Sequence, residues 1–108
     1  MSYKIVSSKG FKRDVKPLVK KYRSLKNELS DLFDSLEINP IQGDDLGKSC
    51  YKIRLGIESK QKGKSGGARV ITYVVTENQE VILLTIYDKK DKSNLRTNEL
   101  DELLKELD

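Results

Sequence analysis

The sequence predicts an α+β fold, in which an N-terminal strand and a helical hairpin pack on a twisted, mainly antiparallel sheet. Three observations lead to this class. Apolar residues recur at helical spacing between residues 11 and 36, polar and apolar residues alternate over residues 50–55, and two β-branched runs occupy residues 70–75 and 81–87. The predicted order is βααβββα within a single domain spanning residues 1–108.

The N-terminal part predicts a short strand followed by two helices. Residues 3–6 alternate weakly, and Ser7 or Ser8 can cap the helix that follows. The apolar residues then recur at steps of three and four, and one unbroken helix through them would be about 39 Å long, too long for such a domain. We therefore expect a break at residues 22–24, with Ser24 capping the second helix. Pro17 should kink the first.

The remaining elements are predicted from a change in the spacing of the apolar residues. Residues 39–48 gather turn-forming residues and predict a loop. In the strand at 50–55, Tyr51, Ile53 and Leu55 should face the core, while Lys52 and Arg54 share the other face. The runs 70–75 and 81–87 predict a buried antiparallel hairpin joined by residues 76–80, and leucines from Leu95 to Leu107 outline a C-terminal helix.

The net charge of +4 conceals a strong asymmetry along the chain. Between Lys48 and Arg69 there are seven basic residues against Glu58 alone, a local net charge of +6, whereas the balance after Val75 is −4. This segregation favours a surface that faces a polyanion, although a solvated face is the alternative. The first predicted helix is basic and the second acidic, so their charges either pair across the hairpin or compensate one another in solvent.

The composition excludes several kinds of chemistry. Histidine is absent, which removes the commonest general base and metal ligand, and Cys50 is alone, so we expect a buried thiol with no internal disulfide. The carboxylates form no convincing metal site, and we expect neither metal nor cofactor. Without an apolar run long enough for a membrane span or a leader segment, a soluble cytoplasmic protein is expected.

One apparent motif, a phosphate-binding loop, is excluded by its spacing and by the element predicted after it. Gly63-Lys64-Ser65 resembles the end of a phosphate-binding loop, but the preceding Gly56 is too far away for that motif. In addition, the residues that follow predict a strand where such a loop requires a helix. A flexible, cationic hairpin tip, with Gly63, Gly66 and Gly67 supplying permissive backbone angles, is the better interpretation.

Residues 50–55, the Lys-Ser-Gly-Gly-Ala-Arg stretch at 64–69, the strand at 70–73 and the segment 83–89 resemble, in order, the RelE/ParE toxin superfamily. The nearest likeness is to HigB-like and RelE-like toxins. The resemblance covers essentially the whole chain and agrees with the predicted order of elements.

The resemblance implies a toxin of a toxin-antitoxin pair. It would be a metal-independent, ribosome-dependent endoribonuclease (mRNA interferase) that cleaves mRNA in the ribosomal A site and inhibits translation. Its partners would be an antitoxin, the ribosome and messenger RNA, and a toxin-antitoxin hetero-oligomer would follow. The implied catalytic residues are Lys52, Arg54, Arg69 and Lys89, with Lys48, Lys60, Lys62, Lys64 and Lys90 binding RNA. Lys52 would act either as a base or as an electrostatic clamp.

The chain departs from RelE at one position, since Leu95 stands where a C-terminal tyrosine is expected. Tyr87 or Tyr73 would have to take its place. Two other functions stay open: a ParE-like, non-enzymatic poison of DNA gyrase, which needs no basic catalytic set, and a nucleic-acid-binding module without activity.

Overall fold

A computed structural model describes residues 2–60 and 66–107 of the chain. Its elements are β1 (Lys4–Ser7), α1 (Lys9–Lys21), α2 (Leu25–Ile38), β2 (Asp44–Gly47), β3 (Cys50–Leu55), a 3₁₀ turn (Glu58–Lys60), β4 (Ala68–Val75), β5 (Glu80–Asp88) and α3 (Glu99–Lys105). The strands form one sheet in the order β1-β5-β4-β3-β2. β1 is parallel to β5, and the other pairs are antiparallel. The predicted fold class and order are confirmed, with β2 added.

The break between the helices lies where it was predicted. Ser8 caps α1, because its Oγ accepts a hydrogen bond from the backbone N of Phe11 at 3.0 Å. Ser24 occupies the N-cap position of α2, but its hydroxyl makes no cap hydrogen bond. Its Oγ instead accepts from the backbone N of Ser59 at 2.8 Å, which ties the helical hairpin to the 3₁₀ turn. Pro17 lies within α1 without ending the helix.

The charges of the two helices do not pair across the hairpin. Within residues 2–60 and 66–107, no ion pair joins α1 to α2. Lys12, Lys16 and Lys20 of α1 are exposed. The structure therefore shows helix charges that are solvated and not paired across the hairpin.

The extra strand β2 lies inside the predicted loop and pairs with β3 through a two-residue turn. Lys48 and Ser49 form this turn with φ values of 56° and 63°, between the paired residues Gly47 and Cys50. Positive φ at both central residues is the backbone that a tight hairpin needs, and it is normally signalled by Asn-Gly or Asp-Gly. The Lys-Ser sequence carries no such signal, so the prediction of a loop here was wrong.

The sheet separates two apolar clusters. On one side, α1 and α2 cover residues such as Ile53, Val70 and Leu83. On the other side, α3 and the segment before it cover Cys50 and Ile71. The predicted alternation in β3 is confirmed, because Tyr51, Ile53 and Leu55 belong to the helical-hairpin cluster and the intervening residues point to the α3 side. In the described part of the chain, no helix is long and apolar enough to cross a membrane.

Candidate functional site

A line of polar side chains crosses three central strands on the α3 side of the sheet. Arg54 of β3 is the register partner of Arg69 in β4, and Arg69 is in turn the partner of Tyr87 in β5. Paired residues of antiparallel strands project from the same face, with Cβ atoms about 5 Å apart. We call Arg54, Arg69 and Tyr87 the basic row; Lys52 lies two residues before Arg54 and shares its face.

The two β3 cations differ in their contacts. The side chain of Arg54 is 57% exposed, and its Nη2 lies 3.9 Å from Asp44 Oδ2, a long and solvent-exposed ion pair. The Lys52 Nζ donates to Asn94 Oδ1 at 3.1 Å. Lys52 is thereby tied to the segment between β5 and α3, whereas Arg54 presents its guanidinium to solvent.

Arg69 is buried, with 4% of its surface exposed. Its Nη1 donates to the carbonyl of Ala68 at 3.1 Å. The backbone just before β4 lies very close to the end of β3. A Cβ added to Gly67 would lie 2.0 Å from the Leu55 carbonyl oxygen. Gly67 is therefore required by close backbone approach rather than by a positive φ. The Lys89 backbone N donates to the Gly67 carbonyl at 3.0 Å, so Lys89 lies beside the entry to β4.

Tyr87 is the tyrosine that accompanies the arginines. Its hydroxyl is buried and makes no hydrogen bond within the described residues, and the Lys92 Nζ lies 4.9 Å from its ring centroid. Burial raises the pKa of Tyr87, and the charge of Arg69 opposes this rise. Tyr73 pairs with Cys50, four residues along β4 from Arg69, which is about 13 Å in a strand. Of the two tyrosines considered as replacements, only Tyr87 lies in the basic row.

Lys60 does not occupy the exposed position expected of an RNA-binding residue. Its side chain is 9% exposed, and its Nζ forms an ion pair with Asp88 Oδ1. The side chain of Asp88 is completely buried and accepts from the Tyr22 hydroxyl at 2.5 Å and from the Lys90 backbone N at 2.9 Å. A buried carboxylate therefore holds the Lys60 ammonium inside the protein.

Asp88 is a residue that the sequence did not single out. Burial alone would raise the pKa of Asp88, but the hydrogen bonds from Lys60 and Tyr22 outweigh it and hold the pKa at about 2. The sequence does place an acidic residue directly after an apolar run. If such a residue is buried, its carboxylate requires a cation or a hydrogen-bond donor. That partner, Lys60, lies 28 residues away, and nothing in the sequence connects the two.

The other predicted RNA-binding residues are placed as follows. Lys48 is exposed and forms an ion pair with Asp101 of α3, and Lys90 is exposed on the turn after β5. Lys62 and Lys64 lie outside the described residues. Among residues 2–60 and 66–107, no three Cys, Asp or Glu side chains converge as metal ligands would.

A comparison with protein-family profiles matches residues 4–107 to the RelE toxin of the RelE/RelB toxin-antitoxin system. The match covers nearly the whole chain. The chain belongs to the RelE toxin family. Membership implies an antitoxin partner, as the resemblance in the sequence predicted.

Solved structures agree with membership of the RelE family. A double arginine-to-alanine variant of the Escherichia coli toxin RelE in the free state has a TM-score of 0.59 and 20% identity, covering 99% of this chain and 95% of its own. The isolated E. coli RelE toxin has the same TM-score and identity, with coverages of 96% and 97%. At this identity the likeness concerns the fold, and it supports the α+β architecture described above.

Proposed function

We propose that this RelE-family toxin is an endoribonuclease that cuts messenger RNA on the ribosome and so inhibits translation. The observation that carries the proposal is the register pairing of Arg54 with Arg69, next to Lys52, on one face of the sheet. These cations give that face of the sheet a positive potential, which attracts an anion with several oxygen atoms such as a phosphodiester.

The chemistry follows from RNA itself. The 2′-hydroxyl loses its proton as its oxygen attacks the adjacent phosphorus, a 2′,3′-cyclic phosphate forms, and the 5′-oxygen takes up a proton as its bond to phosphorus breaks. Negative charge grows on the phosphate oxygens as the transition state is reached. Arg54 would donate to these oxygens, because a guanidinium donates to phosphate in a planar fork. The buried Arg69 would add positive charge from the neighbouring strand. Arg54 can reach an incoming substrate directly, since its side chain is 57% exposed.

Lys52 acts in this scheme as an electrostatic clamp. Its Nζ donates to the Asn94 amide oxygen at 3.1 Å, which holds the side chain on the same face as Arg54, and a cation beside the phosphate would stabilise developing charge. Tyr87 is the register partner of Arg69, and its hydroxyl is buried, so we assign it a supporting role for the arginine. Lys89 would add positive charge where β5 ends.

Substrate RNA would extend from the basic row over neighbouring lysines. Lys48 and Lys90 are exposed on the described surface, and Lys62 and Lys64 stay candidates on sequence grounds. Lys60 is left out of the proposed RNA contacts because it is buried against Asp88. The ribosome would align the messenger and supply much of the rate enhancement. Such a function places the toxin in the cytoplasm, where it would be neutralised by its antitoxin.

Primer-extension mapping of messenger RNA after induced expression tests the proposal. We expect cuts phased with codons in cells that express the natural chain, and none with Arg54→Ala. Arg23→Ala is the matched control, because Arg23 is exposed and lies on the helical hairpin. If growth stops while the messenger stays intact, and the purified toxin inhibits DNA supercoiling by gyrase, the nuclease proposal is wrong. The ParE-like function then takes its place.

A further inference from the structure

Two lysine side chains lie against one aromatic ring at the end of α1, and a third lysine lies on the neighbouring turn. The Nζ of Lys21 lies 5.4 Å from the ring centroid of Tyr22, and the Nζ of Lys60 lies 5.3 Å from it. Lys90 lies nearby, because its backbone N donates to the Asp88 carboxylate that also accepts from the Tyr22 hydroxyl. Lys60 is held by Asp88, whereas Lys21 and Lys90 are exposed.

The buried carboxylate of Asp88 brings these residues together. It accepts from the Tyr22 hydroxyl at 2.5 Å, which fixes the end of α1, and from the Lys90 backbone N at 2.9 Å, which fixes the turn after β5. The carbonyl of Asp88 also accepts from the backbone N atoms of Asp91 and Lys92 at 2.9 and 3.2 Å. Two segments far apart in sequence are therefore held against each other, each with an exposed lysine at the junction.

No ion pair neutralises either exposed lysine within residues 2–60 and 66–107. Proximity to Lys90 lowers the pKa of Lys21, and the charges of Asp88 and Asp91 oppose this effect. Asp88 is already engaged by Lys60 and Tyr22, which leaves Asp91 as the nearby exposed carboxylate. Two adjacent ammonium groups repel each other, and a shared anion would remove that repulsion.

We propose that Lys21 and Lys90 form a subsite for one backbone phosphate of the RNA, separate from the basic row. Lys90 follows Tyr87 by three residues, so its backbone lies within about 11 Å of that row. The subsite would therefore hold a nucleotide that flanks the one being cut. Lysine suits this task, because a phosphate contact positions the strand and carries no sequence information. The inference rests on the proposed function for the identity of the polyanion.

The test measures the affinity of the purified toxin for a fluorescent single-stranded RNA across a salt series. Each phosphate contact to single-stranded RNA contributes about 0.7 to the slope of log affinity against log salt concentration. We expect Lys21→Ala to reduce the slope by about this amount, and Lys21→Arg to restore it. Lys20→Ala is the matched control, since Lys20 is also exposed on α1, and it should leave the slope unchanged.

An equal effect of Lys21→Ala and Lys20→Ala would overturn the subsite, as would an unchanged slope for both. A thermal melt of each variant shows that the fold is intact. The measurement needs neither cleavage nor the ribosome, so the two proposals can fail separately. A specific effect of Lys21→Ala without messenger cleavage in cells would reject the nuclease alone. Cleavage without that effect would reject the subsite alone.

Discussion

The hydroxyl of Tyr22 donates to Asp88 Oδ2 at 2.5 Å, joining residues 66 positions apart in the sequence. The contact is buried and the acceptor is charged, and a hydrogen bond of this kind contributes about 2 kcal/mol to stability. We expect Tyr22→Phe to lower the free energy of unfolding by about that amount in urea titrations. Tyr3→Phe is the control, because the Tyr3 hydroxyl makes no hydrogen bond within the described residues. Equal stabilities of the two variants would contradict the prediction.

The lowered pKa of Asp88 predicts that the protein loses stability in acid. The pKa of Asp88 is about 2 in the folded chain, below the ordinary value near 3.9. A lowered folded pKa stabilises the protein above the ordinary value, and this stabilisation disappears as the pH falls from about 4 to about 2. The expected loss is about 2 kcal/mol, measured as unfolding free energy across that range.

The control for the acid effect is the double variant Asp88→Asn with Lys60→Met. It removes both charges of the buried pair and so leaves no unpaired ammonium. This variant should lack the Asp88 component of the acid transition. Identical pH dependence of the natural chain and the double variant would show that other carboxylates cause the transition.

Arg54 should matter for activity and not for stability. Its side chain is largely exposed, so Arg54→Ala should change the unfolding free energy by less than about 0.5 kcal/mol. Loss of a donor that stabilises transition-state charge typically lowers the rate about 10²-fold to 10³-fold. Cleavage by purified toxin on programmed ribosomes measures this, with Arg23→Ala as the control. A variant that cleaves at the natural rate would remove Arg54 from the mechanism.

The turn between β2 and β3 should become more stable when Ser49 is replaced by glycine. Ser49 has a φ of 63°, a conformation that costs a residue with a side chain about 1 kcal/mol. Ser49→Gly should therefore raise the unfolding free energy by several tenths of a kcal/mol or more. Ser30→Gly, in an exposed position of α2, should lower it, because glycine weakens a helix interior. Destabilisation by Ser49→Gly would show that the serine stabilises the turn in another way.

Cys50 should react slowly with thiol reagents. Its side chain is buried, and burial raises the pKa of the thiol to about 11, so the reactive thiolate is scarce at neutral pH. Alkylation of the native toxin at pH 8 should be much slower than alkylation in denaturant. Mass spectrometry over time gives both rates. Similar rates would mean that Cys50 is exposed in solution.

Much of the fold could be predicted because its signals are local. The steps of three and four define the helices, and alternation in β3 separates Lys52 and Arg54 from the core-facing Tyr51, Ile53 and Leu55. Arg54 and Arg69 were selected separately from the sequence, and the structure makes them register partners. That pairing required the strand register, which no single segment contains.

The failures arise from contacts between distant residues. The short strand β2 depends on an unusual turn at Lys48 and Ser49 and on β3 as its partner. Lys60 lay among cations in the sequence, and its pairing with Asp88 could be recognised only after the end of β5 was brought beside the 3₁₀ turn. Charge counting locates a basic region, but it cannot tell a solvent-facing lysine from one engaged by a buried carboxylate.

The ladder between β3 and β4 also determines which parts of the chain can change in length. Arg54 and Arg69 are separated by 14 intervening residues, yet their relative position is determined by the pairing of β3 with residues 68–73 of β4. The relative position of the two arginines is therefore set by this ladder and not by the number of residues between them. A single insertion within β4 would instead turn Arg69 to the opposite face of the sheet. Related toxins should accordingly differ in length before this strand and keep its register.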